Sequence, residues 1–343
     1  MKKRISVATG HPYEVLVEDG LLSQLGPELK NIADGKVLVV TDENVAPLYL
    51  AAAYRSLHEA GFAVSTICLP SGESSKELKY YVNLLNLLSE KNFSRSDTVV
   101  ALGGGVIGDL AGFAAATYLR GIRFVQVPTT LLAMVDASVG GKTAINLPSG
   151  KNQVGAFHQP SLVLCDPCLL DTLPERELRC GCAEVIKTAI LFDPELFAHL
   201  SEHGLSFDRN EVIARCIAHK SRIVACDEHD HGQRQLLNLG HTIGHAIETL
   251  TDYMIPHGEA VSVGCCVLAK ACSSDYERIL SLFDRFCLPT KTEFSAPVLA
   301  NAAIYDKKRN GNEITLVVPK AISQCELQTV PVTALEAIIK AGL

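Results

Sequence analysis

Thr98-Val99-Val100-Ala101-Leu102-Gly103-Gly104-Gly105-Val106-Ile107-Gly108-Asp109 decides the fold class. Five β-favouring residues run into three glycines, and the chain then opens into an apolar stretch, Leu110 to Leu119, that reads as helix. Strand, glycine turn and helix form the setting in which G-x-G-x-x-G cradles a phosphate, because missing side chains let backbone N–H groups and the helix start approach a pyrophosphate. A glycine turn serving only close packing would look the same locally.

Working outward, Lys36 to Val40, Ala63 to Leu69 and Phe124 to Pro128 are further short apolar runs, with a helical stretch from Ser75 to Glu90 among them. Apolar strands alternating with helices imply a mostly parallel sheet covered on both faces. From about Pro174 the strand signals fade. Cys182 to Leu191, Glu211 to Cys226, Leu239 to Leu250 and Gly258 to Cys272 read as helices, and Asp193-Pro194-Glu195 fits an N-cap with Pro at the first helical position. Only Ile314 to Val318 looks like a late strand. The expectation is an α/β domain over residues 1–170 and a mainly helical one over 171–343, with a ligand in the cleft between them.

The 343 residues exceed one ordinary small domain, and 48% hydrophobic residues can bury a large core. A net charge of −7 argues against nucleic acid or an anionic membrane as the main partner. The basic start, Met1-Lys2-Lys3-Arg4, is followed by no apolar h-region, and no run approaches the ~20 apolar residues that cross a bilayer. Twelve scattered Cys suggest free thiols in a reducing, cytoplasmic compartment. Cys165-Asp166-Pro167-Cys168 has no second CxxC to complete a zinc set.

Chemistry-bearing residues concentrate in few places. Asp42 ends the first parallel-type strand, where it could hold a ribose hydroxyl or cap the Asn44–Leu50 segment. Thr129 and Thr130 follow a strand at the sheet's C-terminal edge, where α/β ligands bind. Glu184 sits among small residues, and His241, His245, Glu248 and His257 lie close together in sequence. One Glu with two or three His suits a divalent metal with an open position. Local spacing pairs His241 with His245, four apart on one helix face, but no HExxH occurs and His257 offers a competing ligand. Lys142, Lys151, Lys187, Lys220, Arg234, Lys307 and Lys308 as a set suggest a substrate bearing phosphate and carboxylate.

Taken in order, Gly-Gly-Gly-Val-Ile-Gly-Asp at 103–109, Gln-Val-Pro-Thr-Thr at 126–130, Met-Val-Asp-Ala-Ser-Val-Gly-Gly-Lys-Thr at 134–143, Gly-Lys-Asn-Gln-Val-Gly at 150–155, Ala-Glu-Val-Ile-Lys at 183–187 and Leu-Asn-Leu-Gly-His-Thr-Ile-Gly-His-Ala-Ile-Glu at 237–248 closely resemble the 3-dehydroquinate synthases. The resemblance runs from about Lys36 to Val318. It implies a Rossmann-like N-terminal domain, a helical C-terminal domain, a homodimer, bound NAD and one zinc or cobalt ion.

On the matching positions it implies Glu184, His241 and His257 as metal ligands, and it makes His245 a catalytic or substrate-binding residue. NAD contacts fall on Asp42, on Ser71, Gly72, Glu73, Ser74, Ser75 and Lys76, on Gly103, Gly104, Gly105, Val106, Ile107, Gly108 and Asp109, on Thr129, Thr130, Lys142 and Lys151, and on Leu169, Leu170, Asp171 and Thr172. Substrate contacts fall on Asp136, Asn152, Lys187, Lys220, Arg234, Asn238 and Lys307 or Lys308, with Arg120 resembling a residue that reaches the phosphate across the dimer interface. Departures from the pattern are Asp230 where relatives commonly have Glu, Thr315 where some have Arg, and Cys180 and Cys182 beside Glu184.

The implied reaction converts 3-deoxy-arabino-heptulosonate 7-phosphate to 3-dehydroquinate and phosphate, in the shikimate pathway. Its steps are transient oxidation by NAD, β-elimination of phosphate, re-reduction, ring opening and intramolecular aldol closure. The rivals are another sugar-phosphate cyclase, a metal-dependent polyol dehydrogenase that would release NADH, and a nucleotide-binding regulatory protein that has lost catalysis.

Overall fold

The computed structural model describes residues 2–304, 309–310 and 312–343. The chain divides into two compact units, one of residues 1–173 with 220–229, the other of residues 174–219 with 230–343.

The first unit is an α/β layer structure. Its strands are β1 (Lys3–Val7), β2 (Tyr13–Val17), β3 (Lys36–Asp42), β4 (Ala63–Leu69), β5 (Thr98–Gly103), β6 (Arg123–Pro128), β7 (Lys142–Leu147), β8 (Gly150–Phe157) and β9 (Leu162–Cys165). Its helices are α1 (Leu25–Lys30), α2 (Ala51–Glu59), α3 (Leu78–Glu90) and α4 (Gly105–Thr117). The seven-stranded sheet has the order β1-β2-β9-β6-β5-β3-β4, parallel throughout except for the β1–β2 hairpin. The central strands are apolar because both faces are covered; every residue of β5 is buried. At the edge, β4 is mostly half-buried or exposed.

From β3 the chain steps outward to β4, then returns to lay β5 on the other side of β3. That reversal opens a crevice at the C-terminal ends of β3 and β5, at Asp42 and Gly103. Helix α4 buries Ile107, Leu110, Ala111, Phe113 and Ala114 against Leu38, Val40, Val99, Ala101 and Phe124. The helix starts at Gly105, a turn and a half before the Leu110 expected from hydrophobicity, with Gly104 as its N-cap and glycines at two of its first four positions. A second departure lies at the start of α3. The expected helix from Ser75 breaks into a 3-10 turn (Glu73–Ser75) and α3 proper, because the Lys76 side chain is drawn inward to Asp109. The antiparallel β7–β8 hairpin, largely exposed on β8, carries little hydrophobic signal in the sequence.

The second unit is mainly helical: α5 (Glu175–Phe192), α6 (Pro194–His203), most of α7 (Arg209–Cys226), α8 (His241–Leu250), α9 (His257–Cys272), α10 (Tyr276–Arg285), α11 (Ala296–Ile304) and α12 (Val332–Gly342). A small antiparallel sheet of β10 (Arg309–Asn310), β11 (Glu313–Ala321) and β12 (Gln324–Pro331) completes it. From Lys220 onward, α7 and the following loop belong to the first unit.

The helices α5, α8 and α9 approach to backbone contact at glycines. A Cβ on Gly258 would fall 2.1 Å from the Cys180 carbonyl oxygen, and one on Gly264 would fall 2.0 Å from that of Gly240. Gly240, at φ +78°, also has the left-handed backbone that glycine adopts without strain. No disulfide links the twelve cysteines among the described residues, and no described helix is long and apolar enough to cross a membrane.

Asp193 caps α6 through the Leu196 amide (2.9 Å), with Pro194 at the first helical position, as the sequence implies. It also binds Arg215 in a fork (2.7 and 2.9 Å) and the His219 ring (2.8 Å). Burial alone would raise its pKa, but the hydrogen bonds from Arg215, Leu196 and His219 outweigh burial and hold it at about 2. A carboxyl depressed on folding stabilises above its unfolded pKa of about 4 and loses that contribution as pH falls toward the folded value. Asp193→Asn is therefore expected to lower unfolding free energy by about 2 kcal/mol at neutral pH, the difference narrowing as pH drops from about 5 toward about 3. Urea denaturation of both proteins across that range checks it; a pH-independent gap would refute the ion-pair origin.

Candidate active site

Within the second unit, Glu184, His241 and His257 offer ligand atoms that all lie within 4.8 Å of one another. Glu184 stands mid-helix on α5, one turn beyond Cys180, whose backbone Gly258 abuts. His241 and His257 are the first residues of α8 and α9. The Nε2 atoms of His241 and His257 are 3.8 and 3.4 Å from Glu184 Oε1. The other ring nitrogens face elsewhere: His241 Nδ1 toward the Leu239 carbonyl (3.1 Å) and His257 Nδ1 toward Glu248 Oε2 (3.1 Å). With Nδ1–H donating to those oxygens, Nε2 is on each ring the atom that faces Glu184 and that, once deprotonated, would ligate a metal. A buried carboxylate with two such imidazoles suits zinc or cobalt with open positions.

His245, the partner of His241 in the local i, i+4 reading, packs its ring edge-on to His241 (5.4 Å) and tilted to His257 (6.0 Å). It joins a second possible ligand group with Glu248 and His257. The Glu184 group is the more buried of the two. Burial alone would lower the His257 pKa; hydrogen bonds and charge from Glu184 and Glu248 outweigh it and raise it to about 10. Lys187 is fully buried and pairs with Glu184. Arg234 is buried at 2% exposure, and Asn238 ends the same 3-10 segment (Gln233–Asn238). Lys307 and Lys308 lie outside the described residues.

Within the first unit, the glycine turn lies at the crevice. Gly104 and Gly105 cap and open α4 without a side-chain cap, and a Cβ on Gly104 would come 3.2 Å from the Thr130 side chain. Thr129 donates its amide to the Gly103 carbonyl (3.0 Å), and Thr130 Oγ1 accepts from the Ala133 amide (3.2 Å). Of the two readings of Asp42, the contacts show capping: at the C-terminal end of β3 its Oδ1 accepts from the Asn44 and Val45 amides (2.9 and 3.1 Å).

In the Ser71–Lys76 turn, Glu73 accepts from Asn146 Nδ2 (2.7 Å), while buried Lys76 binds Asp109 (2.5 Å) and the Asn152 side-chain oxygen. Burial raises the Asp109 pKa, with Lys76 opposing. Lys142 is exposed at the start of β7 and Lys151 half-buried on β8. Leu169 and Leu170 are buried in a 3-10 turn with Asp171 and Thr172 exposed, and Tyr49 Oη bonds Thr172 Oγ1 (2.5 Å).

Among the expected substrate contacts, Lys220 donates to Asp136 Oδ1 (2.5 Å) and to the Asp136 carbonyl. Asn152 has a left-handed backbone (φ +54°), and exposed Arg120 follows Leu119 in the same region (φ +68° and +50°). Of the departures, Thr315 pairs with the Thr329 hydroxyl across β11–β12 (3.2 Å). Asp230 has φ +61°. Cys180 and Cys182 are buried, and burial pushes the Cys180 thiol up to about 12 and raises Cys182 also, so neither supplies a ready thiolate. Sequence reasoning did not anticipate the Glu248–His257 bond; the only trace was Glu248 continuing the histidine stripe of its helix.

Comparison with known proteins bears on all of this. Residues 66–180 match the family 3-dehydroquinate synthase N-terminal, and residues 181–309 match 3-dehydroquinate synthase C-terminal. A 3-dehydroquinate synthase of Latilactobacillus sakei subsp. sakei is 44% identical over 341 residues, covering 97% of this chain and 96% of that one. The solved 2-epi-5-epi-valiolone synthase of Streptomyces hygroscopicus subsp. jinggangensis, with NAD+ and Zn2+ bound, superposes at a TM-score of 0.88 with 28% identity over 99% of both chains. A 2-deoxy-scyllo-inosose synthase complexed with carbaglucose-6-phosphate, NAD+ and Co2+ shares the fold, at 0.88, with 24% identity over 100% of both chains. Matched in both halves and along nearly its whole length, the chain belongs to the 3-dehydroquinate synthase family of phosphate-eliminating lyases.

Proposed function

We propose that this chain converts 3-deoxy-arabino-heptulosonate 7-phosphate to 3-dehydroquinate and phosphate, using NAD and one divalent metal, as a cytoplasmic homodimer. The observation that carries the reading is the convergence of Glu184, His241 and His257 within 4.8 Å in a chain of this family. When bound, NAD supplies a reversible hydride acceptor and the divalent ion a Lewis acid that makes a substrate hydroxyl more acidic.

Glu184, His241 and His257 would hold the metal, with Lys187 beside Glu184 to meet developing negative charge on the substrate. Gly103 to Asp109 would cradle the NAD pyrophosphate, where the absent Cβ atoms of Gly104 and Gly105 leave α4's first amides approachable. Asp42, Ser71–Lys76, Thr129, Thr130, Lys142, Lys151 and Leu169–Thr172 would complete that site. Lys220, held by Asp136, presents an ammonium whose position is fixed by two oxygens. Asn152, Arg234, Asn238, Lys307 and Arg120 would bind substrate carboxylate, hydroxyls and phosphate, Arg120 from the partner subunit. His245, half-buried beside both metal-binding histidines, is suited to move a proton.

Three outcomes test this reading. His241→Ala should lose bound metal, measured by elemental analysis of the purified protein, while His245→Ala keeps most of it; the reverse would favour the His245–Glu248–His257 group. Gly104→Val, if its circular dichroism is unchanged, should weaken NAD binding by at least tenfold in titration calorimetry, and unchanged affinity counts against the cradle. Given the heptulosonate phosphate, the enzyme should release inorganic phosphate with no accumulating NADH absorbance, because the overall conversion is redox-neutral. Stoichiometric NADH with a ketone product would instead identify a polyol dehydrogenase.

A further inference from the structure

Two of the three metal-binding side chains sit at the least restrained position of their helices. His241 and His257 are each the first residue, preceded by Gly240 and Pro256, and neither helix has a side-chain cap. Glu184 by contrast is mid-helix and buried. Helix geometry therefore fixes Glu184 but leaves the two imidazole planes to be set by something else. For His241 it is the Leu239 carbonyl two residues back, a short local tether. For His257 it is the side chain of Glu248, nine residues back on α8 (3.1 Å).

Glu248 is itself held. It is 4% exposed and lies in the last turn of α8. Its carbonyl accepts from the Tyr253 amide (2.7 Å) and from Thr251 Oγ1 (3.2 Å), which folds the α8–α9 connection back on the helix end. That connection carries two left-handed non-glycine residues, Asp252 (φ +48°) and Tyr253 (φ +61°), a few residues before Pro256 and His257.

We infer that Glu248 is a positioning residue for the metal centre: by accepting the Nδ1 proton of His257 it fixes ring plane and tautomer, so that Nε2 faces Glu184 and His241. It contributes no bond to the metal in this arrangement. The inference rests on the metal-centre reading given above. A carboxylate behind a ligating imidazole both orients it and raises its basicity, and losing such a partner typically weakens metal binding about 10- to 100-fold.

The test uses metal-free full-length protein titrated with Co2+, following the visible d–d bands, with chelator competition for the dissociation constant. Glu248→Ala should raise that constant about 10- to 100-fold, yet reach the wild-type spectrum at saturation, because the ligand set is intact. Glu248→Gln should recover most of the affinity, since its amide oxygen still accepts from Nδ1. Glu248→Asp should recover less, its carboxylate being one methylene short; this variant also serves if the alanine protein does not fold. Wild-type affinity in both the alanine and aspartate variants overturns the inference. So does a changed cobalt spectrum at saturation in Glu248→Ala, which would make Glu248 a ligand. If His241→Ala also keeps wild-type cobalt affinity, it is the metal-centre reading that fails; if only the Glu248 variants are silent, that reading stands and this inference alone falls.

Discussion

The Glu184–His241–His257 cluster depends on α5, α8 and α9 meeting at glycines where no Cβ would fit. Gly258 meets the Cys180 backbone and Gly264 meets that of Gly240 at distances a Cβ would violate outright. Close-packed interiors do not absorb such overlaps by yielding. The two contacts bring the start of α9 against the middle of α5, and the body of α9 against the residue before α8. Glu184 is one helical turn from Cys180, and His241 follows Gly240 directly. Glycines with no chemistry of their own thus set the separations on which the chemistry depends.

The parallel sheet was legible because its central strands are buried on both faces. Val37 to Val40 and Val99 to Leu102 can only be apolar runs under that constraint. Strands with an exposed face, β8 and β12, left no comparable mark, and β9, though apolar and wholly buried, is only four residues long. Helix starts were less legible than helices. Gly105 and Glu175 begin their helices well before the apolar stripe does, since first turns need caps and small or acidic residues rather than hydrophobicity.

In the site, local periodicity and the fold pair His241 with different histidines. His241 and His245 share a helix face, but His257, sixteen residues from His241 and on another helix, is the one whose nitrogen converges with His241 on Glu184. Sequence spacing sees neighbours along one helix; it cannot see a glycine that lets a second helix touch the first. The motifs as an ordered set imply His257 instead, because family resemblance carries three-dimensional information that spacing lacks. Nor is Lys76 legible as a buried cation. Its partners Asp109 and Asn152 are 33 and 76 residues away, and only folding joins the turn before α3, the second turn of α4 and the β7–β8 hairpin through one ammonium.

The helix starts at His241 and His257 have an electrical meaning as well. The positive end of each helix macrodipole, roughly half an elementary charge, lies at its first turn, and a cation there is disfavoured by about 0.3–1 kcal/mol per helix. Two such ends meet at this cluster, and buried Lys187 adds a full positive charge. Against them stand the carboxylates of Glu184 and Glu248. The lysine and the two partial positive ends thus roughly offset the two carboxylates. Added negative charge beside the cluster would be met by the lysine and two rows of backbone amides at once, whereas a neutral group would gain little. Such a cluster would answer to the charge of what it holds and not to its shape alone.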